Sequence, residues 1–284
     1  MISALLGLVS ALGLGAADFM ARSSARALGA PLTYGAVLLL GAVGTTIWLV
    51  VTGAPLVWSP LGCAMAVAHG VSVAVMCILL YMGFARGPIA VVAPIVAAHP
   101  VFVLAVNVAM GVRPSAVQWA AMAAVVAGGI MITRSAVAGP EPSADGSNRT
   151  TVLIAFGACL AYVAIILTAQ AATPLIGDFQ TMWIGRWSGL VFIAVILVAQ
   201  QARLRIPSEW LPYVGVQGSL DALGYLAFLA GAHSAAPQIT MVVASAFSVV
   251  AVLLARLIIH EPVSKMQWAA IALIAAGTAV LSGT

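Results

Sequence analysis

Gln118-Trp119-Ala120-Ala121, in the first half of the chain, recurs near its end as Gln267-Trp268-Ala269-Ala270. At the same offset Ala127-Gly128 answers Ala276-Gly277, and Pro88 answers Pro237. Upstream, Tyr81 and Tyr225 hold similar, though not identical, places. One four-residue match arises easily by chance. An ordered set of matches in the same apolar setting marks a duplicated unit.

The setting is lipid. Of 284 residues, 63% are hydrophobic and only 6% charged, and the mean hydropathy is +1.16. A soluble domain has roughly 25% charged residues, so this chain could not cover a water-facing surface with polar groups. Crossing ~30 Å of hydrocarbon takes ~20 apolar residues. On that measure ten spans are predicted, at 2–20, 33–53, 61–82, 89–110, 116–133, 151–171, 181–200, 211–231, 238–259 and 267–282. The runs are continuously apolar rather than alternating, so they read as helices and not as strands of a barrel. Ile2–Ala17 lacks the positive leading segment of a signal peptide and reads as a retained first helix.

The polar segment Arg134–Thr150 separates the copies. Its prolines, glycines, Glu141 and Asp145 read as a flexible linker, and Asn148-Arg149-Thr150 is a bare glycosylation sequon. The expected organisation is therefore a five-helix unit over 1–133, a linker over 134–150 and a second five-helix unit over 151–284. An odd number of spans per unit makes the second enter the bilayer in the opposite sense. Inverted repeats of this kind are common in secondary transporters.

The residues spread along these spans resemble the drug/metabolite transporter superfamily, EamA type. The resemblance runs from Tyr81 through Ala85, Gly87-Pro88, Pro94 and Pro100 to Gln118 and Gly128-Gly129, and again from Tyr225 through Pro237 and Ser245 to Glu261-Pro262, Gln267 and Gly277. It implies an alternating-access carrier for a small metabolite or drug-like solute in the cell membrane. It also implies a cavity among the first, third, fourth, sixth, eighth and ninth spans. Each half keeps only one of two family marks: Pro100 aligns with Val249, and Glu261 aligns with Val112.

Ionisable groups inside a span cost roughly 2.5–3.5 kcal/mol at a helix centre and call for a partner, a wet cavity or a function. Asp221 lies mid-way along the eighth span, with Gln217 and Tyr225 four residues to either side on one helix face. Such a stripe faces a cavity or joins helices. Asp18 stands near the end of the first span, with Arg22 one turn on as an ion-pair candidate. His69 and His99 lie inside the third and fourth spans, open to proton coupling or to structural hydrogen bonding. His99 precedes Pro100, which marks a kink, and Asn107 follows two turns along. Tyr162 and Gln170 share a face of the sixth span, and Ser245 belongs to a polar side of the ninth. Small polar residues also join helices without touching any solute. Arg186, beside Trp183 and Trp187, reads as snorkelling to an interface.

Cys63, Cys77 and Cys159 fall in apolar spans and form no metal-ligand spacing with the four histidines, so neither metal nor cofactor is expected. The net charge of +4 is a loop bias and no nucleic-acid footprint. Gly128-Gly129 and Gly277 suit close helix packing, as scaffold or as a homodimer surface. Arg22, Arg26, Arg86, Arg134, Arg149, Arg203, Arg205 and Lys265 lie in odd-numbered loops, and Arg113 alone in an even one. The positive-inside rule then sets both termini outside, whereas the resemblance implies termini inside. An integral membrane enzyme acting on a lipid-linked substrate is the alternative class. No paired-carboxylate, phosphate-loop or nucleophile-elbow motif speaks for it.

Overall fold

The computed structural model describes residues 2–111, 113–138, 148–202 and 205–283. The centre of the polar linker, 139–147, and the basic residue Arg203 lie outside them. Among the described residues the chain is all-helical: α1 (Ile2–Leu28), α2 (Ala30–Thr52), α3 (Pro60–Arg86), α4 (Ile89–Ala97), α5 (His99–Ala109), α6 (Ala116–Ala138), α7 (Asn148–Ile176), α8 (Asp178–Ala199), α9 (Leu211–Ala232), α10 (Pro237–Ala244), α11 (Phe247–Ile258) and α12 (Lys265–Gly283). A single 3-10 turn, Ser208–Trp210, precedes α9.

Eight segments are long and apolar enough to cross a membrane: α1, α2, α3, α4 with α5, α6, α7, α8, and α10 with α11. The sequence expectation of ten also includes α9 and α12. In α9, Gln217, Ser219 and Asp221 dilute the apolar character of a 22-residue helix. In α12 the apolar stretch is short, Lys265–Leu281. The first helix runs on past residue 20, where the first span is expected to end. α1 continues to Leu28, because Arg22 and Arg26 find partners on other elements and helix bonding never lapses before Gly29.

The two halves use the same local devices in the same order. α2 and α8 each start after a glycine of positive φ, Gly29 at 84° and Gly177 at 81°. In both turns the glycine carbonyl accepts from the threonine four residues on, Thr33 or Thr181, at 3.1 Å. α6 opens on a reciprocal capping pair: Ser115 N–H donates to Gln118 Oε1 at 2.8 Å while Gln118 N–H donates to Ser115 Oγ at 3.3 Å. α12 opens likewise, with Ser264 and Gln267 at 2.8 and 3.2 Å. The repeated glutamine of the Gln-Trp-Ala-Ala motif is thus a helix-start signal. The repeated glycine is a contact signal. A Cβ on Gly128 would stand 2.9 Å from Ala270 O of α12, and one on Gly277 would stand 2.8 Å from Ala121 O of α6. These glycines therefore let α6 and α12 meet within the chain.

The segments expected as the fourth and ninth spans are both interrupted. Pro100 has no N–H to offer Val96 O, and the helix breaks at Ala98 between α4 and α5. The ninth breaks between α10 and α11 with no proline in the gap. There Ala246 N–H turns to Val243 O at 3.2 Å, a tighter bond than the helical one. α1 is wedged between these parts. Gly13 lies against Leu220 and Gly224 of α9, and Gly15 against Phe247 at the start of α11.

The α6–α12 contact makes a prediction of opposite signs at adjacent residues. Gly128→Ala and Gly277→Ala drive a methyl into backbone and are expected to cost about 1–3 kcal/mol, lowering the thermal transition of the purified protein. Gly129→Ala meets nothing within 4 Å and is expected to leave the transition unchanged or to raise it, through better helix propensity. Equal effects at Gly128 and Gly129 would disprove the contact.

Candidate functional site

On α9 the exposed residues Val216, Ser219, Leu223, Leu226 and Ala230 form an outward stripe. Gln217, Asp221 and Tyr225 lie on the opposite side at 100° per residue, so the polar stripe faces the bundle. Its members then do different work. Gln217 is fully buried: Ser24 Oγ of α1 donates to its Oε1 at 2.7 Å, and its Nε2 donates to the Tyr81 hydroxyl of α3 at 3.1 Å. Both ends of the amide are used, so this residue joins three helices.

Asp221 faces Arg186 of α8, Oδ2 to Nη1 at 3.6 Å. The guanidinium also lies 5.5 Å from the ring centroid of Tyr225. Arg186 is 8% exposed, which corrects the expectation that it snorkels to an interface. The space comes from α2, where a Cβ on Gly41 would collide with the guanidinium. The neighbouring tryptophans do face outward-lying ground. Trp183 and Trp187 both donate Nε1 to Thr46 Oγ1, at 2.9 and 3.0 Å. They line an apolar hollow of about 490 Å³ with Val67 and Val191, apart from all the sequence candidates.

Asp18 is mid-helix, ten residues before the end of α1, and partly exposed. The expected pairing with Arg22 does not form, because Arg22 is taken by Glu261. Asp18 instead interacts electrostatically with Asp221, and Cys77, Tyr81 and Tyr162 lie within reach of its charge. His99 stacks on Tyr162 with centroids 3.7 Å apart and planes at 17°. Its Nδ1 approaches Val96 O at 3.2 Å. A carbonyl can only accept, so Nδ1 carries the proton there and satisfies the oxygen that Pro100 leaves without an N–H. Asp18, Asp221, Arg186, Tyr225, Tyr162 and His99 thus form one neighbourhood.

The other candidates lie elsewhere. His69 is buried and bonds through Nδ1 to Ile165 O at 3.1 Å, tying α3 to α7. Ser245 Oγ donates to Val242 O at 2.7 Å, within the α10–α11 break. Gln170 is exposed near the end of α7, away from Tyr162, because eight residues turn the helix by 80°. Asn107 is half-buried on α5 and makes no side-chain hydrogen bond among the described residues.

Glu261 was legible only as a family mark, and the structure gives it a task. Its carboxylate pairs with Arg22 and accepts from the amides of Ile89 and Ala90, at 3.2 and 2.9 Å. It therefore caps the exposed donors at the start of α4 while anchoring the end of α1. A hollow of about 290 Å³ lies beside this latch, lined by Arg22, Ser23, Arg26, His260 and Glu261. Arg26 adds a bond from Nε to Ala85 O at 2.8 Å. The aligned residues in the other half cannot repeat the latch, since valine stands at 112. At the opposite end of the bundle the pair is His233 with Asp178, at 2.8 Å and largely exposed.

Residues 149–283 match the EamA-like transporter family. A crystal structure of a protein superposes over 98% of this chain and 96% of its own, with a TM-score of 0.64 and 14% identity. At that identity the likeness is one of fold, and it runs the whole length. No curated protein matches the chain. The second half of the chain thus belongs to the EamA-like transporter family, within the drug/metabolite transporter superfamily, and the chain is a multi-pass membrane protein.

Removing one partner of a buried ion pair typically costs about 3–5 kcal/mol. Glu261→Ala is therefore expected to speed hydrogen exchange in the peptide holding Ile89 and Ala90 at least tenfold. Arg22→Gln, which keeps the carboxylate on those amides, is expected to change it far less. Equal acceleration by both variants would mean that Glu261 does not cap α4.

Proposed function

We propose that this EamA-like membrane transporter is a secondary carrier that moves a small metabolite or drug-like solute by alternating access. In this reading α9 and α12 also cross the bilayer, which makes ten spans. Units 1–133 and 151–284 are inverted repeats joined by the linker 134–150. The shared glycine turns, capping pairs and α6–α12 glycines support a duplication.

The observation that carries the reading is the matched interruption of the fourth and ninth spans beside the charged neighbourhood. Discontinuous helices in corresponding places of two repeats mark midplane binding sites in carriers. Here His99, at one break, stacks on Tyr162. Phe247, at the other, packs on Gly15, one turn from Asp18. The proposed site comprises Asp18, Asp221, Arg186, Tyr225, Tyr162 and His99. Gln217, His69 and Ser245 hold helices around it.

The latch of Arg22, Glu261 and the start of α4 then closes one end of the pathway. That end gathers Arg22, Arg26, Arg86, Arg205 and Lys265, so the positive-inside rule assigns it to the cytoplasm. Opening it requires the ion pair and both amide bonds to part. The sequence carries no nucleotide-binding loop, so the driving force is a gradient of ion or exchanged solute.

Purified protein in proteoliposomes is expected to give saturable flux that responds to a pH or solute gradient, in a screen of amino acids and cationic drugs. Asp221→Asn is expected to reduce that flux at least tenfold while eluting as folded protein. Normal flux by this variant at every pH would remove Asp221 from the mechanism. The absence of gradient-sensitive flux from folded protein would remove the carrier reading.

A further inference from the structure

The hollow beside the Arg22–Glu261 latch has donors to spare. It measures about 290 Å³, and its walls include Arg22, Arg26, His260, Glu261 and Ile259. Glu261, the one carboxylate in those walls, is spent on Arg22 and on the amides of Ile89 and Ala90. The charge left over is that of Arg26. Its Nε donates to Ala85 O, and its terminal N–H groups have no acceptor among the described residues. His260 is exposed in the same hollow and makes no hydrogen bond among the described residues. Arg256, which donates to Glu261 O at 3.4 Å, adds a further cation close by.

Two more observations bear on what fills it. The first is His260 itself, which stands at φ 55°, in the left-handed region that ordinary side chains avoid. The aligned residue of the first half is Gly111, at φ 98°. A histidine thus stands where its counterpart is a glycine, and backbone strain of this kind is kept where a side chain has a task. Aligned on Gly29 and Gly177, Arg22 and Arg26 answer to Gln170 and Pro174, so the other half does not repeat the basic set. The second observation is depth. From Ile2, about 20 residues at ~1.5 Å each use up the ~30 Å of hydrocarbon. Arg22 and Arg26 then stand at the level of the lipid headgroups. Leu257, Ile258 and Ile259, which lead to His260, are exposed apolar surface next to them.

We infer that this hollow holds the phosphate of an anionic phospholipid. Its oxygens accept from Arg26 and His260, and its acyl chains lie against Leu257 and Ile258. The volume falls below the range of about 300–1,000 Å³ typical of solute pockets, and it suits a headgroup. A free phosphate would forgo the apolar contact, and a zwitterionic lipid would bring an ammonium that the arginines repel. Basic pockets between helices on the cytoplasmic side take such headgroups. The leaflet rests on the topology proposed above; the site does not. Bound lipid braces the end of α1 that the latch anchors.

The test is native mass spectrometry of the full chain, titrated in neutral detergent with dioleoyl phosphatidylglycerol and, separately, with dioleoyl phosphatidylcholine. Phosphatidylglycerol is expected to bind at least fivefold more tightly, about the worth of one cation at a membrane surface. Arg26→Gln and His260→Gly are each expected to bring it down to the level of phosphatidylcholine. Glycine suits the left-handed backbone at 260, so if Arg26→Gln does not fold, His260→Gly decides alone. Lys265→Gln, which removes a cation of the same end outside the hollow, is expected to leave binding within twofold. Equal binding of the two lipids, or an undiminished preference in either folded variant, overturns the site. An equal loss in Lys265→Gln overturns it in favour of diffuse surface charge. Displacement of the lipid by millimolar inorganic phosphate overturns the lipid as occupant. None of these readouts involves flux, so the site stands or falls apart from the carrier.

Discussion

Hydrocarbon solvates neither a peptide group nor a charge, and that single constraint governs most of what this chain does. Backbone groups answer it by staying in helices, and where the helix fails a local substitute appears. Pro100 deprives Val96 O of a donor, and the His99 ring supplies one. The start of α4 exposes amides, and Glu261 covers them from the other half of the chain. Charged groups answer it by pairing across long stretches of chain, as Arg22 does with Glu261 and Arg186 with Asp221. The bundle is therefore tied together at the very places where it would otherwise be most costly.

Helix packing follows the same logic in a different currency. Lipid tails are as apolar as leucine, so helices gain little from merely hiding side chains, and close approach has to do the work. Gly13 against Gly224, and Gly128 and Gly277 against opposing carbonyls, bring backbones near enough for dispersion to count. The large apolar side chains are left on the outside, as Trp48, Val51 and Val195 are. A soluble protein would invert that arrangement.

The sequence made much of this legible, for reasons that can be stated. Apolar runs of span length report on the solvent, so the helices could be found. Spacing by four reports on helix faces, so Gln217, Asp221 and Tyr225 could be set on one inward side. Pro100 reports on a missing donor, so the break in the fourth span could be expected. What stayed hidden depends on partners distant in the chain. Arg186 beside two tryptophans looks interfacial until α2 and α9 close around it and Gly41 makes room. Glu261 looks like a loop residue until α4 presents its amides. The break in the ninth span has no proline to announce it, and the end of α1 ran past its apolar run because Arg22 and Arg26 had partners elsewhere. Gly29 and Gly177 did carry a signal, a glycine ahead of a threonine in each half, but so short a match is lost among 27 glycines.

The two ends of the bundle are not equals. One is fastened by a carboxylate that holds a guanidinium and two amides. The other has an exposed imidazole–carboxylate pair that counts as ionic only when His233 carries a proton. In the carrier proposed above, one heavy door and one light door would mean unequal time behind each. Such lopsidedness cannot change the concentration ratio at which net movement stops, since that is fixed by the gradients alone. It changes the pace in each direction, and it sets which side of the membrane a passing solute finds open.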